Sequence, residues 1–310
     1  MGTYYQVVTR SDECQVQTNA LEARLNELNQ SLSTYLPDSE LSQLNRAGAG
    51  QPIDLSRALD EVLQAAELVW HESGGAFDVT IGPLVNLWGF GPGKAADASA
   101  PSASFQAQAR ARVGMHLLSL ADGKLVKQRP DTYIDLSALA KGYAVDDLAA
   151  LLKDAGCRNF MVDIGGEIFA HGLNTQGKAW RLGIESPVAG QPGQIHAVVE
   201  LSNLAIATSG DYRNFRMVDG EPVDHVLDPR TGQPAASPVV SATVLHSSAM
   251  WADAYATAFM VLGEEASMNL AEQLNLPVYL IMRVSEPKAP DPWRIRYNGQ
   301  MAEKLQNPVF

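Results

Sequence analysis

Apolar and polar residues follow two rhythms along this chain, and the rhythm of each stretch predicts its element. Tyr4-Tyr5-Gln6-Val7-Val8 reads as a strand. A helix is expected to open at Ser11-Asp12-Glu13 and to carry Leu21, Leu25, Leu28 and Leu32 on one apolar face; Tyr35-Leu36-Pro37-Asp38-Ser39 breaks it. A second helix is expected from about Leu55 to Trp70, with Leu59, Val62, Ala66 and Val69 on its buried stripe and Gly74-Gly75 as its stop. A strand near Tyr133 leads into a helix from about Ser137 to Ala155, ended by Gly156. Phe160-Met161-Val162-Asp163-Ile164 and Glu167-Ile168-Phe169-Ala170, joined by Gly165-Gly166, predict a hairpin. Strands are expected over 181–184, 195–201, 204–207 and 239–245, helices over 249–257 and 268–274, and closing strands over 278–284 and 293–297.

Helices and antiparallel strands thus mix without a repeating strand–helix rhythm or an internal repeat, which predicts an α+β fold. The expectation is one compact domain over 1–310, in which the Gly-, Ala-, Pro- and Ser-rich run 89–104 forms a mobile surface insertion. Composition is that of a globular chain: 310 residues, 46% hydrophobic and 19% charged. The net charge of −12 disfavours nucleic acid, and it means that a polyanionic substrate needs a metal or a local basic group to be accepted. No run of 18 apolar residues is present, so no membrane span is expected. The opening Met1-Gly2-Thr3-Tyr4 lacks a charged-then-apolar leader. Cys14 and Cys157 lack Cys-x-x-Cys spacing, which removes zinc and redox-motif readings. They read as two small buried hydrophobes, with a disulfide left open.

Several segments carry chemistry. Asp253 and Thr257 stand four apart in the apolar run Ala249-Met250-Trp251-Ala252-Asp253-Ala254-Tyr255-Ala256-Thr257. On a helix they share one face, and both supply the hard oxygens that Mg²⁺ or Ca²⁺ selects. Ala76-Phe77-Asp78-Val79-Thr80-Ile81-Gly82-Pro83 could frame a flat ligand, although by itself it reads better as a core Phe and a capping Asp. In Ile134-Asp135-Leu136-Ser137-Ala138-Leu139-Ala140-Lys141-Gly142, Asp135 suits an N-cap or a metal-shell carboxylate; Lys141 is either functional or an exposed helix lysine. Asp163-Ile164-Gly165-Gly166-Glu167 permits close backbone approach to a ligand, and a plain hairpin turn explains it as well. Ala207-Thr208-Ser209-Gly210-Asp211-Tyr212 suggests a nest for an anion after a strand. His225-Val226-Leu227-Asp228-Pro229-Arg230-Thr231-Gly232 sets a histidine before a polar turn, as a base or as a structural residue. Gly91-Pro92-Gly93-Lys94 fails as a phosphate loop because Trp88 and Ala95 stand where Gly and Ser or Thr are required. There is no Gly-x-Ser-x-Gly elbow and no His-x-x-x-His pair.

These segments, taken in order with Met1-Gly2-Thr3, Ser33 to Leu41 and Ala252-Asp253-Ala254, resemble the successive blocks of the ApbE family from Met1 to about Gly263. The resemblance implies a T-fold-like α+β unit of mixed, largely antiparallel strands with packed helices. It implies a Mg²⁺-dependent flavin transferase that splits FAD, moves FMN onto a Thr or Ser hydroxyl of a partner protein and releases AMP. Met1, Tyr35, Ala76, Phe77, Asp78, Asp135, Lys141 and Val226 would line the FAD site. Asp253, Thr257 and the Ala138 carbonyl would take the metal, and His225 would act as general base. The implied acceptors are flavoprotein subunits of membrane redox complexes bearing an Asp-x-x-Ser/Thr-Gly-Ala-Thr-like motif. The chain's own Asp228-Pro229-Arg230-Thr231-Gly232 begins that motif but meets Pro234, so it is not its own acceptor. The family implies a periplasmic home, with a lipid anchor in a full-length precursor whose leader this chain lacks. A metal-dependent FAD pyrophosphatase giving FMN and AMP would use the same residues; the intact set of Asp253, Thr257, Asp135 and His225 argues against a third reading, a flavin-binding or lipoprotein module without catalysis.

Overall fold

The computed structural model describes residues 2–10, 14–91, 99–187, 193–211, 215–284 and 293–306. Met1, the helix start expected at 11–13 and residues 92–98 of the 89–104 insertion lie outside the described residues. The described helices are α1 (Thr18–Leu32), α2 (Glu40–Arg46), α3 (Arg57–Glu72), α4 (Gly82–Leu87), α5 (Ala103–Arg110), α6 (Ala140–Asp154), α7 (Ala249–Leu262), α8 (Glu264–Gln273) and α9 (Gly299–Ala302). Mixed helices and antiparallel sheets make the fold α+β, as the patterning predicts. The chain gathers into two compact units, one from 1–24, 141–213 and 237–310 and the other from 25–140 and 214–236.

The first unit is organised by a seven-stranded sheet. Tyr5–Thr9, Phe160–Ile164, Glu167–His171, Leu204–Gly210, Val239–His246, Val278–Arg283 and Trp293–Tyr297 lie side by side in that order. Every neighbouring pair is antiparallel. Spatial order therefore follows sequence order, the simplest path for an antiparallel sheet. α7 packs on the Val239–His246 and Leu204–Gly210 strands. Eleven of its fourteen residues are buried, so it carries no polar stripe and reads as a core helix. A smaller sheet of Leu305–Gln306, Ile195–Leu201 and Trp180–Glu185 adds a second apolar cluster around Trp180, Ile184, Val199 and Met301.

The second unit holds α2 to α5, a sheet of Pro52–Asp54, Lys124–Lys127 and Leu118–Ala121, and two short hairpins, Phe215–Val218 with Glu221–Asp224 and Leu227–Asp228 with Gln233–Pro234. α3 starts where the Ser56 hydroxyl accepts from the Leu59 N–H at 3.3 Å, and Gly74 and Gly75 end it with φ of 59° and 80°. α2 is absent from the pattern-based expectation because seven residues are too few to show a period. Its Ser39 cap accepts from the Ser42 N–H at 3.0 Å. Its end is tied by Lys127, a fully buried lysine. The Lys127 ammonium donates to the carbonyls of Leu44, Asn45, Ala47 and Pro130 at 3.0–3.4 Å. Burial lowers the pKa of Lys127, and four fixed acceptors are what keep the charge tolerable there.

Four expectations change. Residues 14–17 are not helical, and α1 begins at Thr18. Cys14 there is tied to Cys157, so the cysteines are a disulfide pair rather than two buried hydrophobes. Near Tyr133 there is no strand, only a single parallel bridge to Ile81. α6 begins at Ala140 rather than Ser137, because the Asp135 carboxylate accepts from both the Ser137 N–H at 2.9 Å and its hydroxyl at 2.5 Å, which holds a turn instead. Asp135 is therefore not the cap of α6.

The disulfide closes a loop of 143 residues. Cross-links over loops of this order restrict the unfolded chain by about 4–5 kcal/mol. Replacing Cys14 and Cys157 by serine is expected to lower the melting temperature clearly, and dithiothreitol is expected to do the same to the parent alone. Melting curves with and without reductant check both.

Candidate active site

In the first unit, the long apolar helix α7 buries a carboxylate. Asp253 is only 3% exposed, and a charge that deep needs partners. α6 supplies them from its first turn. The Lys141 ammonium lies 3.6 Å from Asp253 Oδ2, and the Gly142 N–H donates to the same oxygen at 3.4 Å. The positive end of the α6 dipole thus faces the carboxylate. Lys141 also pairs with Glu167 Oε1 at 3.0 Å. Glu167 opens its strand directly after Gly165-Gly166, and its Oε2 is buried without a hydrogen-bond donor among the described residues. One turn after Asp253, Thr257 Oγ1 lies 3.1 Å from the Ser209 hydroxyl. The i, i+4 pair read from the sequence therefore occupies one face of a real helix, with Lys141 beside it.

The charges in this cluster act on one another. Burial pushes the Asp253 carboxyl up, and Lys141 and the Gly142 N–H only partly oppose it. Burial, followed by the charge of Asp253, pushes Glu167 up to about 8. Burial pulls Lys141 down, but Asp253 and Glu167 outweigh it and hold the ammonium above its ordinary value. Two carboxyls share one ammonium, so the cluster has room for further positive charge.

Neighbouring motifs resolve into local structure. Gly165 and Gly166 take φ of 66° and 105° in a hairpin turn that Asp163 closes by accepting from the Gly166 N–H at 2.9 Å. The Tyr4 hydroxyl donates to the other Asp163 oxygen at 3.3 Å. Residues 207–210 belong to the Leu204–Gly210 strand, so they form no anion nest. Their hydroxyls alternate as strand side chains must: Thr208 meets Thr243 of the adjacent strand at 2.8 Å, and Ser209 meets Thr257.

The second unit holds the other candidates. Ala76 and Phe77 are buried. The Asp78 carboxylate accepts from the Thr80 N–H at 2.8 Å, the Thr80 hydroxyl at 2.5 Å and the Met115 N–H at 3.1 Å. Its side chain organises the loop. The Asp135 N–H donates to Val79 O at 2.7 Å, which joins these two blocks. Asn45 clamps the neighbouring Ile134 through both of its backbone groups, at 2.7 and 2.9 Å. Tyr35 is 69% exposed, and the pKa of the Tyr133 hydroxyl is raised by burial and, after that, by the charges of Asp135 and Tyr35. Ala138 is half-buried in the turn before α6. His225 and Val226 lie in a bend between strands, with the His225 ring edge-on to Phe90 at 6.3 Å. The Val226 N–H donates to Asp224 at 2.7 Å. The following turn is held by Asp228, which takes the Arg230 N–H at 2.8 Å and its guanidinium at 2.8 and 2.9 Å. Asp228 and Arg230 thus order that turn together.

Comparison with known proteins identifies the family. The family model described as the ApbE family matches residues 1–280. The chain belongs to the ApbE family. The FAD:protein FMN transferase of Vibrio cholerae is 42% identical over 92% of this chain and 86% of its own length; that of Haemophilus influenzae is 40% identical over 91% and 84%. The solved flavin transferase ApbE of Vibrio cholerae superposes with a TM-score of 0.88 at 39% identity, covering 98% of this chain and 96% of its own. The apo flavinyl transferase ApbE of Pseudomonas stutzeri gives 0.87 at 34% identity, covering 98% and 94%. The protein is therefore an enzyme, a transferase with the fold of this family.

Glu167 does not stand out in the sequence, where its segment is conspicuous for Gly165-Gly166. A carboxylate immediately after a glycine turn that opens an apolar strand was the available signal. Its raised pKa has a direct consequence for stability. The folded protein retains a proton on Glu167 between its ordinary value of 4.5 and about 8, where the unfolded chain has released it. Stability present below that window is lost as pH rises through it. In metal-free protein, Glu167→Gln is expected to flatten this part of the stability–pH curve, which chemical denaturation from pH 5 to 9 measures.

Proposed function

We propose that this chain transfers FMN from FAD to a Ser or Thr hydroxyl of a partner protein and releases AMP. The observation that carries the reading is the buried Asp253 with Thr257 on one face of α7, facing an ammonium, in a member of the ApbE family. The relatives' names as FAD:protein FMN transferases support the substrate and the protein acceptor. The bond that forms joins the acceptor oxygen to the FMN phosphorus, and the bond that breaks is the pyrophosphate bridge to AMP.

The residues present fit a hard divalent cation. Asp253 and Thr257 offer oxygen donors, and the buried Glu167 Oε2 without a donor marks the cluster as short of positive charge. Among the described residues no three His, Cys, Asp or Glu side chains form a closed metal cage. An ion with few protein ligands and room for phosphate oxygens suits Mg²⁺. Asp253, Thr257 and the Ala138 carbonyl would hold it, and when bound it would offset the charge of the pyrophosphate in an acidic protein. Lys141 supplies a second positive charge for a phosphate oxygen, held in place by Glu167. Tyr35, Ala76, Phe77, Asp78, Asp135 and Val226 would receive FAD, the buried loop around Asp78 offering backbone rather than charge. His225 takes the proton of the acceptor hydroxyl, a weak nucleophile that gains from a nearby base.

We place the enzyme in the periplasm. The Cys14–Cys157 disulfide supports an oxidising compartment. The acceptors would be flavoprotein subunits of membrane redox complexes with an Asp-x-x-Ser/Thr-Gly-Ala-Thr-like segment.

The deciding assay combines the protein, FAD, Mg²⁺ and a domain bearing that segment. An FMN mass adduct on the acceptor with equimolar AMP is expected; AMP without adduct would make the protein an FAD pyrophosphatase instead. Asp253→Ala is expected to abolish Mg²⁺-dependent turnover. His225→Ala is expected to bind FAD and keep its melting temperature while transfer falls by about 10²–10⁴-fold. Near-normal transfer in that variant would remove His225 as the base.

A further inference from the structure

α7 needs an external reference for its register. Ala249, Ala252, Ala254, Ala256 and Ala258 give it a surface of small side chains, which interlock with their surroundings less firmly than larger ones. α6 provides that reference at three levels. Lys141 and Gly142 meet the Asp253 carboxylate. Gly142 also permits a close approach of the two helices: a Cβ there would lie 2.4 Å from the Ala249 carbonyl oxygen and 2.6 Å from Met250 Cα. One turn further along the same face, the Asp146 carboxylate takes the start of α7. It accepts from the Ser248 hydroxyl at 2.6 Å, the Ala249 N–H at 2.7 Å and the Met250 N–H at 3.0 Å. Ser248 Oγ accepts in turn from the Trp251 N–H at 3.4 Å. The first three N–H groups of α7 thus end on Asp146 and Ser248, and Asp253 follows one turn later.

We propose that Asp146 is a positioning residue for the divalent cation: by fastening the first turn of α7 to α6, it sets where Asp253 and Thr257 stand relative to Lys141. The Asp146 carboxylate is engaged with Ser248, Ala249 and Met250, and it is not among the groups proposed to hold the metal or the flavin. It acts through the helix, as a capping carboxylate at a positive helix end, and Gly142 is the second point of the same clamp. The pair is spaced i, i+4 on α6, so neither can shift without moving the other's contact. The inference rests on the cation reading of Asp253 and Thr257.

The test measures Mn²⁺ binding by electron paramagnetic resonance, together with thermal melting, on the parent and on Asp146→Ala, Asp146→Asn and Asp253→Ala. Supporting-shell partners of metal ligands typically contribute about 10–100-fold to affinity. Asp146→Ala is expected to weaken Mn²⁺ binding by that factor at a temperature where circular dichroism shows it folded. Asp146→Asn, which keeps one acceptor oxygen, is expected to fall between it and the parent, and it carries the test if the alanine variant does not fold. The Mg²⁺ concentration for half-maximal turnover is expected to rise in parallel. A purely structural role predicts lower melting temperatures with Mn²⁺ affinity within about threefold of the parent, and that result overturns the proposal. Parent-like Mn²⁺ binding in Asp253→Ala overturns the cation reading itself. Loss in Asp253→Ala with parent-like binding in both Asp146 variants overturns only the positioning role.

Discussion

The first unit depends on keeping a carboxylate inside a helix that is otherwise apolar. An isolated charge at the depth of Asp253 is costly enough that the group would neutralise itself. Lys141 and the opening turn of α6 reduce that cost, and they do so only if α6 arrives at one particular height on α7. The ion pair is therefore more than a local contact: it fixes which residues of two helices meet. Replacing one partner would leave the other stranded in a poorly solvating interior, the case in which buried pairs matter most.

The same constraint explains residue choices that look unrelated in sequence. Gly142 must lack a side chain because backbone atoms of α7 occupy the space. Asp146 must be acidic and short to reach three donors at once. Ser209 presents a hydroxyl to Thr257 because its strand leaves that face toward α7. In the second unit the logic is one of loops rather than helices. Asp78 and Asp228 use both carboxylate oxygens, and Asp135 one, on nearby backbone or side-chain donors. These acidic residues shape the main chain around them.

Much of this was readable from the chain alone, and the failures have physical causes. The hairpin around Gly165-Gly166 was legible because apolar alternation and a glycine turn agree. α7 was legible because a long apolar run without Gly or Pro reads as helix, and the spacing of Asp253 and Thr257 then follows from geometry. The partnership of Lys141 with Asp253 and Glu167 was not, since nothing local to Lys141 distinguishes it from an exposed helix lysine. Lys127 was hidden for the same reason: its four acceptors come from two separate segments. Thr208 and Ser209 misled because small hydroxyl residues suit both nests and strands, and only pairing with the Val239–His246 strand decides. The cysteines misled because 143 residues of separation carry no signal of proximity.

The order of the large sheet has a consequence for how the molecule is built. Its strands follow the chain, yet the connection from Tyr5–Thr9 to Phe160–Ile164 is long enough to contain most of the second unit, and the remainder, 214–236, is the connection between the fourth and fifth strands. Topologically, the second unit is two loops of a simple meander. The edge strand must wait for its neighbour until that whole excursion has been synthesised, which makes its pairing among the most non-local in the chain and slow to form. Cys14 and Cys157 sit at the neck of the excursion, and once joined they turn a distant encounter into a tethered one. The redox state of the surroundings thereby bears on whether the first strand finds its sheet.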